Sequence, residues 1–450
     1  MAGGTRRTTS VGRVNGSRVR VGLLGCGTVG SALIQLVQEQ ADGIEVRTGL
    51  RLEIARVAVR NASKDRGVDL PRDRFTNDAA SVAADADIDV VIEVIGGIEP
   101  ARQLILDALK AGKPVITANK ELLANVGGEI FATAETSGVD VLFEAAVGGG
   151  IPLVRPLRES LLGEPIDQVM GIVNGTTNYI LTQMTELAMS YADALAEAQE
   201  LGYAEADPTA DVEGYDAGAK IAILASIAFG ARVVAGDVYH EGISSITAAD
   251  IAFAAHNGFV VKLVAIAEKL SAEGPLELAV RVHPVMLRTT HPLASVRGSF
   301  NAVFVQGSAV GELMFYGRGA GGNPTASAVL GDLIDAALNL RKGSSASIGA
   351  LGEVRVRPID ELESEYYVHL HVVDQPGVLS AVAGVFGNHG VSISAMNQGL
   401  PGDQGADLVF ITHRALERDV QATLNDLRGL DAVHQVGSVI RVLADDPVAG

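Results

Sequence analysis

Cysteine occurs once in the 450 residues, at Cys26. No intrachain disulfide can form, and a reducing compartment, the cytoplasm, is expected. Positive charge is also short: 35 Lys and Arg face 54 Asp and Glu, for a formal net charge of −19. That balance excludes a general nucleic-acid or anionic-membrane binder, but leaves room for a locally basic pocket. No apolar run reaches the roughly 18 residues that a membrane span needs. The nine histidines form no H-x-x-x-H pair of the kind that binds zinc. Residues 1–17, MAGGTRRTTSVGRVNGS, lack the apolar centre of a secretory signal. A disordered tail is expected there, with an organellar transit peptide as the alternative on composition. What the chain has in quantity is apolar sequence, 48% of it, ample for a core. Its length suggests about three domains.

The first domain is read as residues 18–150. Arg18 to Leu24 (RVRVGLL) is strand-like, and Gly25-Cys26-Gly27-Thr28-Val29-Gly30 leads into a helical pattern, SALIQLVQEQ. This is G-x-G-x-x-G between a strand and a helix, the setting of the dinucleotide fingerprint. Gly25 makes the tight turn, Gly27 lets the backbone approach a pyrophosphate at the helix N-terminus, and Gly30 permits close packing. A ligand-free glycine turn is the bland alternative. The second strand, Leu52 to Val59, ends at Arg60 where an acid would favour NAD. An arginine there, with Lys64 assisting, suits the 2′-phosphate of NADP; a solvated basic loop is the alternative. Asp89 to Ile95 is a third strand, running into Gly96-Gly97, and Pro114 to Ala118 a fourth, followed at once by Asn119-Lys120. Ligands in such sheets bind at the carboxyl ends of strands, so Lys120 is placed to face a site. Asp140 to Val147 is read as a further strand, and Gly148-Gly149-Gly150 after it as a hinge or an array of exposed carbonyls.

The middle of the chain, 151–322, changes pattern. Gln168 to Val173 is strand-like, and Asn174-Gly175-Thr176-Thr177-Asn178 opens a helix. These small polar residues either cap the helix or bind an amino acid's carboxylate. Ala198 to Lys220, AQELGYAEADPTADVEGYDAGAK, is dense in carboxylates yet runs straight into the apolar IAILASIAF. Asp207-Pro208 starts a helical turn, and from Tyr215 the pattern is helical. Asp216 and Lys220 then share one face, four residues apart. They form an ordinary surface salt bridge, or a lysine tuned for proton transfer at the edge of a core.

The order A-x3-G-Y-A-E-A-D-P-x2-D-V-x-G-x-D-x3-K closely resembles the substrate-site motif of homoserine dehydrogenases, with no departure in spacing. The resemblance covers nearly the whole chain. It implies NAD(P)-dependent interconversion of L-aspartate 4-semialdehyde and L-homoserine, with Lys220 and Asp216 catalytic and Lys120 facing cofactor and substrate. It further implies that Glu205, with the backbone of Gly202, accepts the substrate ammonium, and that Asn174, Thr176, Asp211 and Asp216 complete the substrate site. Gly322, in the second glycine-rich turn (Gly317 to Thr325), matches a nicotinamide-contacting position, and helix 323–341 is expected to return to the first domain. Glu144 and the carbonyls of Val147, Gly149 and Ile151 match a structural site for a monovalent cation, sodium. The middle domain builds the dimer interface in the family, so a homo-oligomer, dimer or tetramer, is expected.

After a linker, 342–365, residues 366–443 read as βαββαβ, a ferredoxin-like order. V-x-D-x-P-G-V-L and G-V-S-I within it resemble an ACT domain, which implies amino-acid feedback, here by L-threonine; a dimerisation module without ligand is the alternative. His369 and His371 are read as lining one face of this module. No aspartate-kinase-like segment precedes the first domain, so a monofunctional enzyme is expected. The fold class is thus α/β: a Rossmann domain, an α+β substrate domain and an ACT domain.

The residue inventory narrows the chemistry. The single cysteine lies inside the fingerprint, which disfavours aldehyde oxidation through an acyl-enzyme. The histidine pattern disfavours a zinc alcohol dehydrogenase. Carbonyl–alcohol interconversion assisted by lysine remains.

Overall fold

The computed structural model describes residues 18–271, 274–345, 348, 351–398 and 405–443. The expected N-terminal tail, and Ala346 in the linker, lie outside the described residues. The strands in chain order are β1 (Arg18–Leu24), β2 (Arg51–Ala58), β3 (Phe75–Thr76), β4 (Val90–Glu93), β5 (Val115–Thr117), β6 (Val141–Leu142), β7 (Ile166–Ile172), β8 (Tyr239–His240) and β9 (Phe259–Lys269). There follow β10 (Glu277–Arg288), β11 (Phe300–Gly307), β12 (Gly311–Arg318), β13 (Arg355–Val356), β14 (Glu363–Val372), β15 (Ile393–Gln398), β16 (Ala406–Thr412), β17 (Ala415–Leu416) and β18 (Val433–Leu443). The helices are α1 (Thr28–Glu39), α2 (Ala41–Thr48), α3 (Ala79–Ala84), α4 (Ala101–Lys110), α5 (Lys120–Ser137), α6 (Gly175–Leu187) and α7 (Tyr191–Glu200). The rest are α8 (Thr209–Val212), α9 (Tyr215–Phe229), α10 (Ala248–His256), α11 (Gly322–Lys342), α12 (Val378–Asn388) and α13 (Glu417–Arg428). Among the described residues no helix is long and apolar enough to cross a membrane.

The chain divides into two compact units. The first takes the described residues of Met1–Gly163, Ser226–Val234 and Gly317–Glu353. Its sheet is parallel throughout, in the order β3-β2-β1-β4-β5-β6. This is a doubly wound sheet whose order reverses between β1 and β4, the crevice where such folds bind ligands. Its strands are buried on both faces, so they read as near-continuous apolar runs. Leu33 and Ile34 of α1 share one core with Ala326, Val329 and Leu333 of α11, so α11 packs onto this sheet.

The run from Asp140 to Val147 is not one strand. Only Val141–Leu142 pairs, and a 3-10 turn occupies Glu144–Ala146. The cause is a buried charge. Glu144 is 5% exposed, and its carboxylate accepts the backbone N–H groups of Leu153, Val154 and Arg155. Its own N–H donates to Asp332 at 2.8 Å. A buried carboxylate must find donors, and that need bends the chain where the apolar pattern alone would extend it.

The second unit takes Glu164–Ala225, Ala235–Tyr316 and the described residues of Val354–Gly450. One long sheet runs β12-β11-β7-β9-β10-β18-β14-β16-β15. The last four strands with α12 and α13 are the βαββαβ module, its helices packed on the sheet through Val382, Phe386, Val420 and Leu424. The module is not set apart from the middle region. Its last strand, expected from Ser438, begins at Val433 and pairs in parallel with β10 at Val285–Leu287. The same side of β10 pairs with β8 at Arg281–Val282 and with β13 at Glu277–Leu278. Three short segments therefore cover one edge in succession. Part of the segment read as a linker is thus sheet, pinned by Arg355 and Arg357 to Glu277.

Candidate active site

The first unit presents the fingerprint as a cradle. Gly25 has φ +102°, and a Cβ there would lie 2.7 Å from the Val94 carbonyl oxygen. A Cβ on Gly30 would lie 2.5 Å from the Gly25 carbonyl oxygen. Gly25 is restricted to glycine by conformation and packing, Gly30 by packing alone. Gly27 differs: a Cβ there would meet nothing within 4 Å. Its side is open, as the approach of a pyrophosphate requires. Gly27 is the N-cap of α1 and supplies no side-chain cap, so the first-turn N–H groups, those of Thr28 and Val29 among them, suit an anion. Gly322 begins α11, and a Cβ there would press on Thr28 at 3.1 Å, which sets the two helix starts side by side.

A buried polar network shapes the next loop. Glu93, fully buried at the end of β4, accepts the N–H groups of Ile95 (2.7 Å) and Gly96 (3.0 Å) and the Thr117 hydroxyl (2.5 Å). Gly96 and Gly97 both have positive φ. Asn119 donates from Nδ2 to the Gly97 carbonyl at 2.6 Å and caps α5 by accepting the Leu122 N–H at 3.1 Å. Lys120, half-buried, is the first residue of that helix. The ends of β4 and β5 and the start of α5 are therefore tied together by these hydrogen bonds. Arg60 and Lys64 are exposed in the loop after β2. The residues present fit a dinucleotide: an uncapped helix start, an open glycine and a basic loop at the second strand's exit.

The second unit brings together Asn174, Thr176, Asp211, Asp216 and Lys220. Lys220 Nζ donates to Asp216 Oδ2 at 2.7 Å and to the Val173 carbonyl at 2.6 Å. Asn174 Nδ2 donates to Asp216 Oδ2 at 2.9 Å and to Asp211 Oδ1 at 2.7 Å. The same side chain caps α6 by accepting the Thr177 N–H at 2.9 Å. Thr176 Oγ1 shares its one proton between the Tyr203 carbonyl at 2.7 Å and, more weakly, Asp211 Oδ2 at 3.3 Å. Asp216 and Lys220 are 7% and 9% exposed, so the pair belongs to the interior. Glu205 and Gly202 lie outside this cluster, exposed on the turn after α7, where the Glu205 carbonyl accepts from Gln199 at 3.1 Å. Sequence reasoning missed the Val173 carbonyl and the ring of Tyr215, which packs on His240 at 4.1 Å. A main-chain acceptor carries no sequence signal.

Among the described residues there is no group of three or more His, Cys, Asp or Glu side chains arranged to hold a metal ion. His369 and His371 both face Asp407, at 3.2 and 3.1 Å, and so share a carboxylate on one face of the module.

The doubly wound sheet and its glycine cradle, in a chain that also buries a lysine–carboxylate pair, define a nicotinamide-dinucleotide-dependent oxidoreductase. Residues 25–144 match the homoserine dehydrogenase NAD-binding domain, 152–334 match homoserine dehydrogenase, and 366–432 match the ACT domain. The homoserine dehydrogenase of Corynebacterium glutamicum is 49% identical over 436 residues, covering 96% of this chain and 98% of that protein. That of Mycobacterium tuberculosis strain H37Rv is 48% identical over 431 residues, covering 94% and 97%. The crystal structure of a homoserine dehydrogenase from Thiobacillus denitrificans superposes with a TM-score of 0.88 at 41% identity, covering 95% of this chain and 98% of the other. The chain belongs to the homoserine dehydrogenase family.

Proposed function

We propose that the enzyme reduces L-aspartate 4-semialdehyde to L-homoserine with NADPH, in the biosynthesis of threonine, methionine and isoleucine. The bound cofactor supplies the hydride to the aldehyde carbon. Lys220 gives a proton to the developing alkoxide, and its charge steadies that oxygen beforehand. Asp216 and the Val173 carbonyl hold the ammonium in place, and Asn174 holds Asp216. Asp211, bound to Asn174 and Thr176, and the exposed Glu205 with Gly202 serve the substrate's polar groups. Lys120 serves the cofactor side. The observation that carries this reading is the buried Lys220–Asp216 pair with its carbonyl and amide supports. What supports a chemical role over a structural one is that the pair adjoins the polar side chains of Asn174 and, through it, Asp211.

NADP is favoured by Arg60 and Lys64 over an acid at the end of β2. L-Threonine is the expected regulator at the ACT domain. Sodium is the expected ion at the carbonyls of Val147, Gly149 and Ile151. Glu144 spends both oxygens on backbone N–H groups, so the carbonyls would carry most of that ligation. Exchanging sodium for a bulky quaternary ammonium ion should lower the melting temperature if the ion is bound. Exposed Met314 and Tyr316 on the edge strand β12 suit a homo-oligomer. The deciding assay is NADP⁺ reduction with L-homoserine, with and without millimolar L-threonine. No turnover from folded protein with either nicotinamide cofactor would remove the catalytic reading.

A further inference from the structure

Arg441 lies on β18, the last strand of the βαββαβ module, with its side chain 5% exposed. It donates from Nε (3.0 Å) and Nη2 (2.7 Å) to Glu417 of α13, within the module. Its third contact leaves the module: Nη1 reaches Glu241 Oε2 at 2.7 Å. Arg441 also lies over the Tyr239 ring, whose hydroxyl donates to Glu241 at 3.2 Å.

Glu241 belongs to a short segment, Tyr239 to Ser244, that grips the turn before α9. The Ile243 N–H donates to the Val212 carbonyl at 2.9 Å. Ser244 Oγ donates to Glu213 Oε1 at 2.8 Å. A Cβ on Gly242 would collide with the Val212 carbonyl, so the two segments touch backbone to backbone. Gly214 has φ +84°, and a Cβ there would lie 3.5 Å from the Glu241 carbonyl. Finally, the His240 ring packs on the ring of Tyr215, the first residue of α9. The next residue is Asp216, and Lys220 follows one turn later. The line from Arg441 to Lys220 is thus made of one ion pair, a clamped turn and a helix start.

We propose that Arg441, Glu241 and His240 are positioning residues, a linkage through which the βαββαβ module sets the placement of Asp216 and Lys220. The proposal rests on Lys220 as proton donor. None of the three touches the reacting groups. They act because the start of α9 is held from one side by the segment that Arg441 anchors. A shift of β18 moves Glu241, and the clamped turn passes that movement to the helix. A misplacement of about 1 Å at a reacting group can cost about a hundredfold in rate.

The test is steady-state oxidation of L-homoserine by the full chain carrying Glu241→Gln, which keeps size and removes the charge. The expected result is a fall in kcat of about tenfold or more, with KM for NADP⁺ unchanged within about twofold and weakened inhibition by L-threonine. In a Lys220→Ala background the same substitution should add no further loss, because the group it positions is gone. A merely structural role would lower the melting temperature and the active fraction, leaving kcat per cofactor-binding site intact. Native kcat in folded Glu241→Gln overturns the linkage. Should that variant not fold, His240→Ala carries the same expectation, and native kcat in it overturns the linkage equally. Lys220→Ala with full turnover would remove the proton-donor reading. A loss in Lys220→Ala beside unaffected Glu241→Gln and His240→Ala would remove the linkage alone.

Discussion

Lys220 and Asp216 stand one turn apart on α9, with 2.7 Å between ammonium and carboxylate and almost no exposure of either. On a solvated helix such a pair adds a few tenths of a kcal/mol. Inside the protein, removing one partner strands the other charge at a cost of about 3–5 kcal/mol. Lys220→Ala should therefore act twice. We expect kcat to fall by about 10² to 10⁴-fold, the usual worth of a positioned general acid, while NADP⁺ affinity persists. The melting temperature should drop as well, and Asp216→Asn should spare it more than Asp216→Ala. Kinetics with a fluorescence titration of cofactor separates the two effects. Turnover above about a tenth of the parent in Lys220→Ala excludes the proton-donor role.

Two glycines of one motif should fail in different ways. Gly30→Ala drives a Cβ to 2.5 Å from the Gly25 carbonyl oxygen. It should lower stability even without cofactor, as overpacked positions do, by about 1–3 kcal/mol. Gly27→Ala meets nothing within 4 Å. It should melt like the parent and still bind cofactor poorly, because its new methyl occupies the approach of the pyrophosphate. Equal melting temperatures for the two variants would contradict this account of the cradle.

Arg60 should set cofactor choice. Arg60→Asp places an acid at the end of β2, where it would repel a 2′-phosphate and accept a ribose hydroxyl. The ratio of kcat/KM for NADP⁺ over NAD⁺ should fall by at least tenfold, about 1.4 kcal/mol. An unchanged ratio would leave Arg60 a solvated loop residue.

Lys262 should give the fold a signature in alkaline solution. It is 2% exposed on β9 and donates to Asn178 Oδ1 (2.9 Å) and the Val296 carbonyl (2.6 Å). Burial lowers its pKa to about 8, against the attraction of Glu186 and with some help from Arg297. In the unfolded chain the amine titrates near 10.4. Between these values the unfolded state holds the extra proton, so folding gains as pH rises from about 8 to about 10.4. The same gain is lost as pH falls back through 8. The swing is on the order of 3 kcal/mol. Urea unfolding across this window should show it in the parent and not in Lys262→Met.

The elements whose apolar pattern is strong were legible. β1 starts and ends where RVRVGLL does, α9 begins at Tyr215 as the spacing indicates, and the Asp216–Lys220 pair follows from i,i+4 geometry. The errors come from partners that the local apolar pattern does not register. Glu144 ends a strand early because the N–H groups of 153–155 claim its carboxylate. β18 is longer than its apolar tail because β14 pairs with it as far as Val433. Lys262, in the apolar run FVVKLVAI, gave no sign that Asn178 and Val296 would receive it. In the candidate site the side chains were named from the motif, but what braces them could not be. The Val173 carbonyl is invisible in sequence, and Arg441 lies far along the chain from the turn that it anchors.

The edge of β10 is sealed piecemeal by β13, β8 and β18. This makes the C-terminal module poor material for a detachable cassette. A chain cut before Val433 would leave Val285 to Leu287 with bare main-chain groups along an apolar strand. Such an open edge is a template for pairing with other chains. Truncation is therefore expected to yield a sticky protein that aggregates on concentration, rather than a shorter soluble enzyme.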